Sequence, residues 1–356
     1  MNVFNAPDFD RHEQVSFFSD PKSGLRAIIA IHSTALGPAC GGTRMYPYAS
    51  ADDALTDALR LSRGMSYKNA MAGLPLGGGK AVIIGNPAKE KTHNLLLAYA
   101  NAVNALSGRY ITAMDVGMTP QDIAVIASGT PHAAGYDAPG KRSGDSAPAT
   151  SLGVFEGLKA AVRHRLKTGE LKGLTVAVQG LGKVGMGVAE RLHAAGAKLI
   201  VADVNPAAVR RAVDRLGAEA VPVDEIAAVR CEVFSPNALG AVLNDRSIAA
   251  LQAVVVAGAA NNQLERDRHG QMLRDHGVLY APDYVINSGG VIHVAGQIFG
   301  WGDEELATRV HAIAGTLKEI FRRADMEGRP TSRIADMIAE DRMGAAAKAV
   351  SSRAAE

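Results

Sequence analysis

The segment Gly73-Leu-Pro-Leu-Gly-Gly-Gly-Lys80 presents a lysine after three consecutive glycines, and Lys68 stands twelve positions earlier on the same stretch. Two ammonium groups converging in one cleft disfavour each other's charge, a physical route to a neutral lysine that can act as a base. Two exposed lysines beside a loop fit the same residues. A triphosphate-binding loop does not: residue 74 is Leu where its first glycine should be, and Ala81 replaces the magnesium-binding Ser or Thr. Asp115 follows a short strand-like stretch, residues 109–112, where carboxylates of open α/β sheets reach a crevice. Taken alone it reads more readily as a turn-forming aspartate.

A second constellation has a different chemistry. Gly180-Leu-Gly182-Lys183-Val184-Gly185 follows a β-branched stretch and opens a helical one, so backbone amides at a helix N-terminus can face a pyrophosphate. Asp203 lies 18 residues after Gly185, at the end of the next strand-like run, where a carboxylate accepts hydrogen bonds from an adenosine ribose. It would repel a 2′-phosphate, and Val204, Asn205 and Pro206 supply no arginine, which favours NAD over NADP. A glycine turn serving only to pack helix on strand is the alternative. Further on, Gly258-Ala-Ala260-Asn-Asn262-Gln and Asn287-Ser-Gly-Gly290 each place amide side chains beyond an apolar run, as turn chemistry or as the lining of a cofactor cleft. The histidines and the two cysteines, Cys40 and Cys231, show no metal-ligand spacing, and Cys40 reads as a small apolar residue rather than a nucleophile.

The elements that must hold these groups alternate in type. Residues 25–32 and 81–84 read as strands, 52–64 as a helix with Ser50 as its N-cap, and 94–106 as a second helix. Residues 136–148, rich in Pro, Gly, Ser and Asp, read as an interdomain connection. From residue 174 strands alternate with helices at 186–195 and 206–216, which predicts a doubly wound parallel sheet. The expected fold is therefore α/β in two domains: residues 1–140 for substrate and catalysis, 145–325 for the dinucleotide, with C-terminal helices at 326–356 returning to the first. Lys and Arg number 38 against 36 Asp and Glu, so the net charge of +2 offers no electrostatic case for nucleic acid or an anionic membrane as partner. With no apolar leader or membrane-length run, a reducing cytoplasmic location is expected.

Six ordered stretches together resemble the leucine/phenylalanine/valine branch of the amino-acid dehydrogenases. They are residues 37–45 (GPACGGTRM), 63–69 (RGMSYKN), 73–80 (GLPLGGGK), 115–117 (DVG), 258–263 (GAANNQ) and 281–290 (APDYVINSGG). The resemblance implies NAD-dependent oxidative deamination of an L-amino acid to a 2-oxo acid and ammonia, by a homo-oligomer with a Rossmann-type second domain. It casts Lys80 as base, Asp115 as proton shuttle, and Lys68 as partner of the substrate carboxylate. Gly41, Gly42, Met65 and Asn262 would line the substrate, with glycines 77–79 forming a bed against which it lies. On the cofactor side the family positions add Thr150, Ala260, Asn262 and Asn287 to the glycine turn. Cys40, Ala113, Val291 and Val294 match the side-chain pocket. Glutamate-specific members carry Lys and Ser at the positions of Cys40 and Val294, so an apolar substrate such as leucine or valine is implied. Aromatic-specific members tend to have Gly where Ala113 stands, which leaves a phenylalanine-type substrate as the alternative. A non-catalytic dinucleotide-binding sensor is the rival of another class; the joint presence of Lys68, Lys80 and Asp115 argues against it. Departures are Cys40, where leucine enzymes often have Leu, and Lys183, where they often have Asn.

Overall fold

The computed structural model describes residues 3–140 and 144–354, the side chains of 349–354 apart. Residues 141–143 of the expected connection lie outside the described residues. The chain divides into two compact units: Met1–Asp145 with Val294–Trp301 and Ala339–Glu356, and Ser146–His293 with Gly302–Ile338. The second unit is thus interrupted by a short return to the first, a finer division than three successive spans.

The first unit contains β1 (Gln14–Asp20), β2 (Leu25–Ser33), β3 (Ala39–Tyr46), β4 (Gly77–Ile84) and β5 (Tyr110–Met114) in a sheet of order β1-β2-β4-β3-β5. β1/β2 and β2/β4 are antiparallel, whereas β3 runs parallel to both β4 and β5. Helices α1 (Ala51–Met71), α2 (His93–Asn104) and α3 (Pro120–Gly129) complete it. Strand alternation sorts the side chains. Ala39, Met45, Ala81, Ile83 and Tyr110 join Leu96, Tyr99 and Ile126 of α2 and α3 in one core, while Ile28 and Val82 pack against Ala54, Leu55, Ala58 and Leu59 of α1. Ser50 caps α1, accepting from the Asp53 amide at 3.1 Å. The helix does not stop at Gly64 as expected but continues seven residues to Met71, because its buried face runs on through Ser66, Tyr67, Asn69, Ala70 and Met71 while Gly64 lies on the exposed side. Met65 and Lys68, three apart, therefore share one helical face.

The second unit opens with α4 (Ala147–Leu166) and continues with β6 (Thr175–Gln179), α5 (Lys183–Ala194), β7 (Lys198–Ala202), α6 (Pro206–Leu216) and β8 (Glu219–Ala220). The return half has β9 (Val233–Pro236), α7 (Asp245–Ala250), β10 (Val255–Val256), α8 (Arg268–Asp275) and β11 (Leu279–Tyr280). The chain ends with α9 (Asp283–Ile286), α10 (Gly289–Phe299), α11 (Asp303–Glu327) and α12 (Thr331–Ala354). Every strand pair is parallel, in the order β11-β10-β9-β6-β7-β8. The chain order reverses between β6 and β9, and ligands of such sheets bind at the carboxyl ends of the strands there. The turn leaving β6 is the Gly180–Gly185 segment. No helix among the described residues is long and apolar enough to cross a membrane.

Candidate active site

In the first unit, alternation along adjacent parallel strands brings the expected groups onto the face of the sheet that carries α1. Gly42 of β3 stands in register with Ala113 of β5, and Cys40 with Gly78 and Ile111. Lys80, on the central strand, is almost wholly buried, and its Nζ lies 2.6 Å from Asp115 Oδ2. The same carboxylate oxygen accepts from Arg44 Nε at 3.0 Å. Burial pushes Lys80 below the ordinary lysine range, and attraction to Asp115 offsets only part of that. Burial would raise Asp115, but the Lys80 and Arg44 cations outweigh it and hold the carboxyl below its usual value. Burial is thus the largest influence weakening Lys80's hold on its proton, and the Arg44 cation acts in the same direction. Cys40 is buried with its thiol pushed up to about 12, so it offers a wall and no nucleophile.

The glycines around Lys80 have a different cause from the one expected. A Cβ on Gly78 would sit 2.0 Å from the Ser66 amide nitrogen of α1; on Gly77, 2.0 Å from the Ser33 carbonyl; on Gly79, 2.7 Å from the Tyr110 ring. All three directions are filled by the protein itself, so residues 77–79 let α1 and the neighbouring strands close on β4 rather than form a bed for substrate. Gly41 and Gly42 obey the same constraint, blocked by the Gly79 carbonyl at 1.7 Å and the Met114 carbonyl at 2.7 Å. Met65 reaches the Gly41 position, with its Cγ 3.4 Å from where a Cβ would stand. The bed is a packing device, and its product is the fixed position of α1, which carries Met65 and Lys68.

Ala113 and Val294 also lie in the first unit and meet around a residue the sequence reading missed. A Cβ on Gly135 would be 3.8 Å from both Ala113 Cβ and Val294 Cγ2. The loop there is held by Gln297, whose Oε1 accepts from the Gly135 amide at 2.5 Å and whose Nε2 donates to the Tyr136 carbonyl at 2.7 Å. The one available signal was Gly135 between Ala134 and Tyr136, indistinguishable from a turn.

In the second unit the three turn glycines have three separate reasons. Gly180 has φ +91°, closed to most side chains; a Cβ on Gly185 would stand 2.0 Å from the Gly180 carbonyl; Gly182 has ordinary φ and nothing within 4 Å of its missing Cβ. Tight turn, close helix packing and an open approach are what a pyrophosphate at the N-terminus of α5 requires. Exposed Lys183 and partly buried Val184 begin the helix. Asp203 accepts from the Leu181 amide at 2.5 Å through Oδ2 and from the Asn205 amide at 2.7 Å through Oδ1, so its carboxylate is fixed beside the turn. Farther along, Asn287 is buried and donates to the Ala259 carbonyl and to Asn261 Oδ1 at 3.0 and 2.8 Å. Gln263 donates to the Gly258 and Ala260 carbonyls. Asn262 is exposed in the left-handed region, φ +51°. Thr150 of α4 and Val291 of α10 belong to this unit as well; the Thr150 hydroxyl donates to the Ser146 carbonyl at 2.9 Å and stands 3.0 Å from the Gly290 Cβ position. These residues fit a dinucleotide.

Both halves of the chain match known family models. Residues 12–132 match the Glu/Leu/Phe/Val dehydrogenase dimerisation domain, and residues 143–211 and 205–350 match the Glutamate/Leucine/Phenylalanine/Valine dehydrogenase domain. The chain belongs to the Glu/Leu/Phe/Val dehydrogenase family. It is similar to the leucine dehydrogenase of Geobacillus stearothermophilus, 47% identical over 98% of this chain and 95% of that one. The valine dehydrogenase of Streptomyces coelicolor is 48% identical over 94% and 93%. Among solved structures, L-tryptophan dehydrogenase from Nostoc punctiforme superposes with a TM-score of 0.85 at 46% identity, covering 94% of this chain and 97% of that one. The chain is an amino-acid dehydrogenase that works with a nicotinamide dinucleotide. Within this family frame Arg44 falls in the 37–45 stretch, yet its contact with Asp115, 71 positions away, had no sequence signal.

Proposed function

We propose that this enzyme catalyses the NAD-dependent, reversible oxidative deamination of a branched aliphatic L-amino acid, with Lys80 as the base. The buried Lys80–Asp115 pair, 2.6 Å apart, carries the reading. When bound, the dinucleotide supplies the acceptor for the two electrons of the Cα–H bond. Lys68 pairs with the substrate carboxylate, and the Gly41–Gly42 backbone bounds the site. Neutral Lys80 takes a proton from water, directing its oxygen at the imine carbon, while Asp115 moves protons to and from the departing nitrogen. Gly180, Gly182, Lys183, Val184 and Gly185 cradle the dinucleotide, with Thr150, Ala260, Asn262 and Asn287 toward its nicotinamide end. Asp203 selects the unphosphorylated ribose. The adjacent Val204 is largely exposed, and no cationic side chain stands at 204 or 205 to receive a 2′-phosphate.

The side-chain pocket is assigned to Cys40, Ala113, Val291 and Val294. None is charged, so a glutamate side chain would bury an unpaired carboxylate at a cost of several kcal/mol. Small Cys40 and bare Gly135 leave room, and the likeness to a tryptophan dehydrogenase supports an aromatic substrate as the second reading. One preparation assayed for kcat/KM with L-leucine, L-valine, L-phenylalanine, L-tryptophan and L-glutamate decides it. Leucine or valine is expected to lead; an aromatic leader overturns the aliphatic assignment, and glutamate overturns the pocket assignment. Self-association through the first unit, whose matching family domain is described as a dimerisation domain, and a cytoplasmic site of action complete the reading.

A further inference from the structure

Beyond Asp115 the structure carries a second half of the charge arrangement that the reaction as proposed does not use. Arg44 of β3 bridges two carboxylates: its Nε donates to Asp115 Oδ2 at 3.0 Å and its Nη1 to Asp57 Oδ2, on α1, at 2.8 Å. Tyr48 donates its hydroxyl to the same Asp57 oxygen at 2.6 Å. The result is an alternating line, Lys80⁺, Asp115⁻, Arg44⁺, Asp57⁻, assembled from β4, the end of β5, β3 and α1. Side-chain exposure rises from 7% at Lys80 to 22% at Asp115 and 25% at Arg44, with Asp57 at 18%. Its outer end opens on a surface cavity of about 420 Å³ whose walls also include Asp53, Arg60 and Val116. Lys68 stands three turns farther along α1.

We propose that Arg44 and Asp57 are positioning residues for the deamination, the outer half of a charge line that holds the Asp115 carboxylate on Lys80 and sets how readily that lysine gives up its proton. The inference rests on Lys80 being the base. A planar guanidinium donating to both carboxylates fixes their separation in a way a lysine's point charge cannot. Its charge also acts at a distance: the Arg44 cation disfavours a proton on Lys80, whereas Asp57 favours one, after the larger effects of burial and Asp115. Asp57 therefore moderates Arg44. The two residues should move the lysine in opposite directions when removed, which no purely structural role predicts.

The test compares Arg44→Met, Arg44→Lys and Asp57→Asn with wild type. In Arg44→Met the Asp115 charge is shared with one cation instead of two, so Lys80 holds its proton longer and the pH midpoint of deamination moves up by about one unit. In Asp57→Asn the Arg44 charge is uncompensated and the midpoint moves down. Arg44→Lys, retaining the cation, should lie nearer wild type than Arg44→Met. Mass-spectrometric reading of the pH dependence of Lys80 labelling by acetic anhydride gives the same midpoint without substrate. A failure of the proposed function, seen as an inactive wild type, is thus distinguishable from a failure of this inference. Should Arg44→Met not fold, the near-isosteric Asp57→Asn carries the test alone. Unmoved midpoints, or midpoints displaced in one common direction, overturn the proposal.

Discussion

Two glycine-rich segments of this enzyme look alike in sequence and do opposite things. Around Lys80, the missing Cβ atoms of Gly77, Gly78 and Gly79 make room for the protein's own atoms, with the Ser66 amide 2.0 Å from the Gly78 position. In the turn after β6, Gly180 and Gly185 are likewise structural, but the space beside Gly182 is empty to 4 Å. A glycine that admits a ligand is one whose absent side chain meets nothing, and only one of these six is of that kind. Counting glycines near a functional lysine therefore overstates ligand contact; the three before Lys80 act indirectly, by letting α1 approach β4.

That contrast breaks first at Gly78. Gly78→Ala forces a methyl into backbone that cannot yield and should cost about 3 kcal/mol or more, enough to abolish soluble enzyme or lower its thermal midpoint steeply. A variant melting with wild type would mean that the Ser66 backbone of α1 does not pack directly on Gly78. Gly182→Ala should do the reverse, changing stability by less than about 1 kcal/mol while weakening the dinucleotide about tenfold, or ~1.4 kcal/mol, in a fluorescence titration. Equal affinity in that variant would show that the open approach is not where the pyrophosphate lies. A smaller effect, on selectivity alone, is expected beside the turn: Asp203→Ala combined with Val204→Arg should swing the preference from NAD toward NADP about tenfold. Wild-type preference for NADP would contradict the role given to Asp203.

Legibility followed how local the cause was. Four strands of the second sheet, β6, β7, β9 and β10, could be read because each lies in a short apolar run bounded by turns, whereas exposed β8 and two-residue β11 could not. α6 is legible at its observed bounds, Pro206–Leu216, because Asn205 caps it and Gly217 ends it in the left-handed region. β3 was invisible: in Ala-Cys-Gly-Gly-Thr-Arg-Met-Tyr two adjacent glycines erase the alternation that marks a strand. α4 was hidden for a related reason, since Gly153 and Gly157 sit on its buried face to admit Ile313, Ile286 and Leu317. Lys80 and Asp115 stood out by residue type and setting. Arg44, Asp57 and Gln297 did not, because only the fold brings their partners to them: Arg44 of β3 joins Asp57 of α1 to Asp115 beyond β5, and Gln297 reaches the loop at Gly135 and Tyr136. The burial that weakens Lys80's hold on its proton had no signal for the same reason: a second lysine is visible in a sequence, whereas a helix packed on glycines is not.

The claim that a buried, Asp115-paired Lys80 is the base can be tested on one pair of proteins. NADH formation from L-leucine is followed between neutral pH and the alkaline range for wild type and Lys80→Ala, with dinucleotide binding measured in parallel. Deprotonation makes the lysine usable, so wild-type turnover should rise with pH, and the variant should fall at least about a hundredfold with binding intact. Turnover in the variant close to wild type, or a wild-type profile flat from neutral pH upward, would contradict the account.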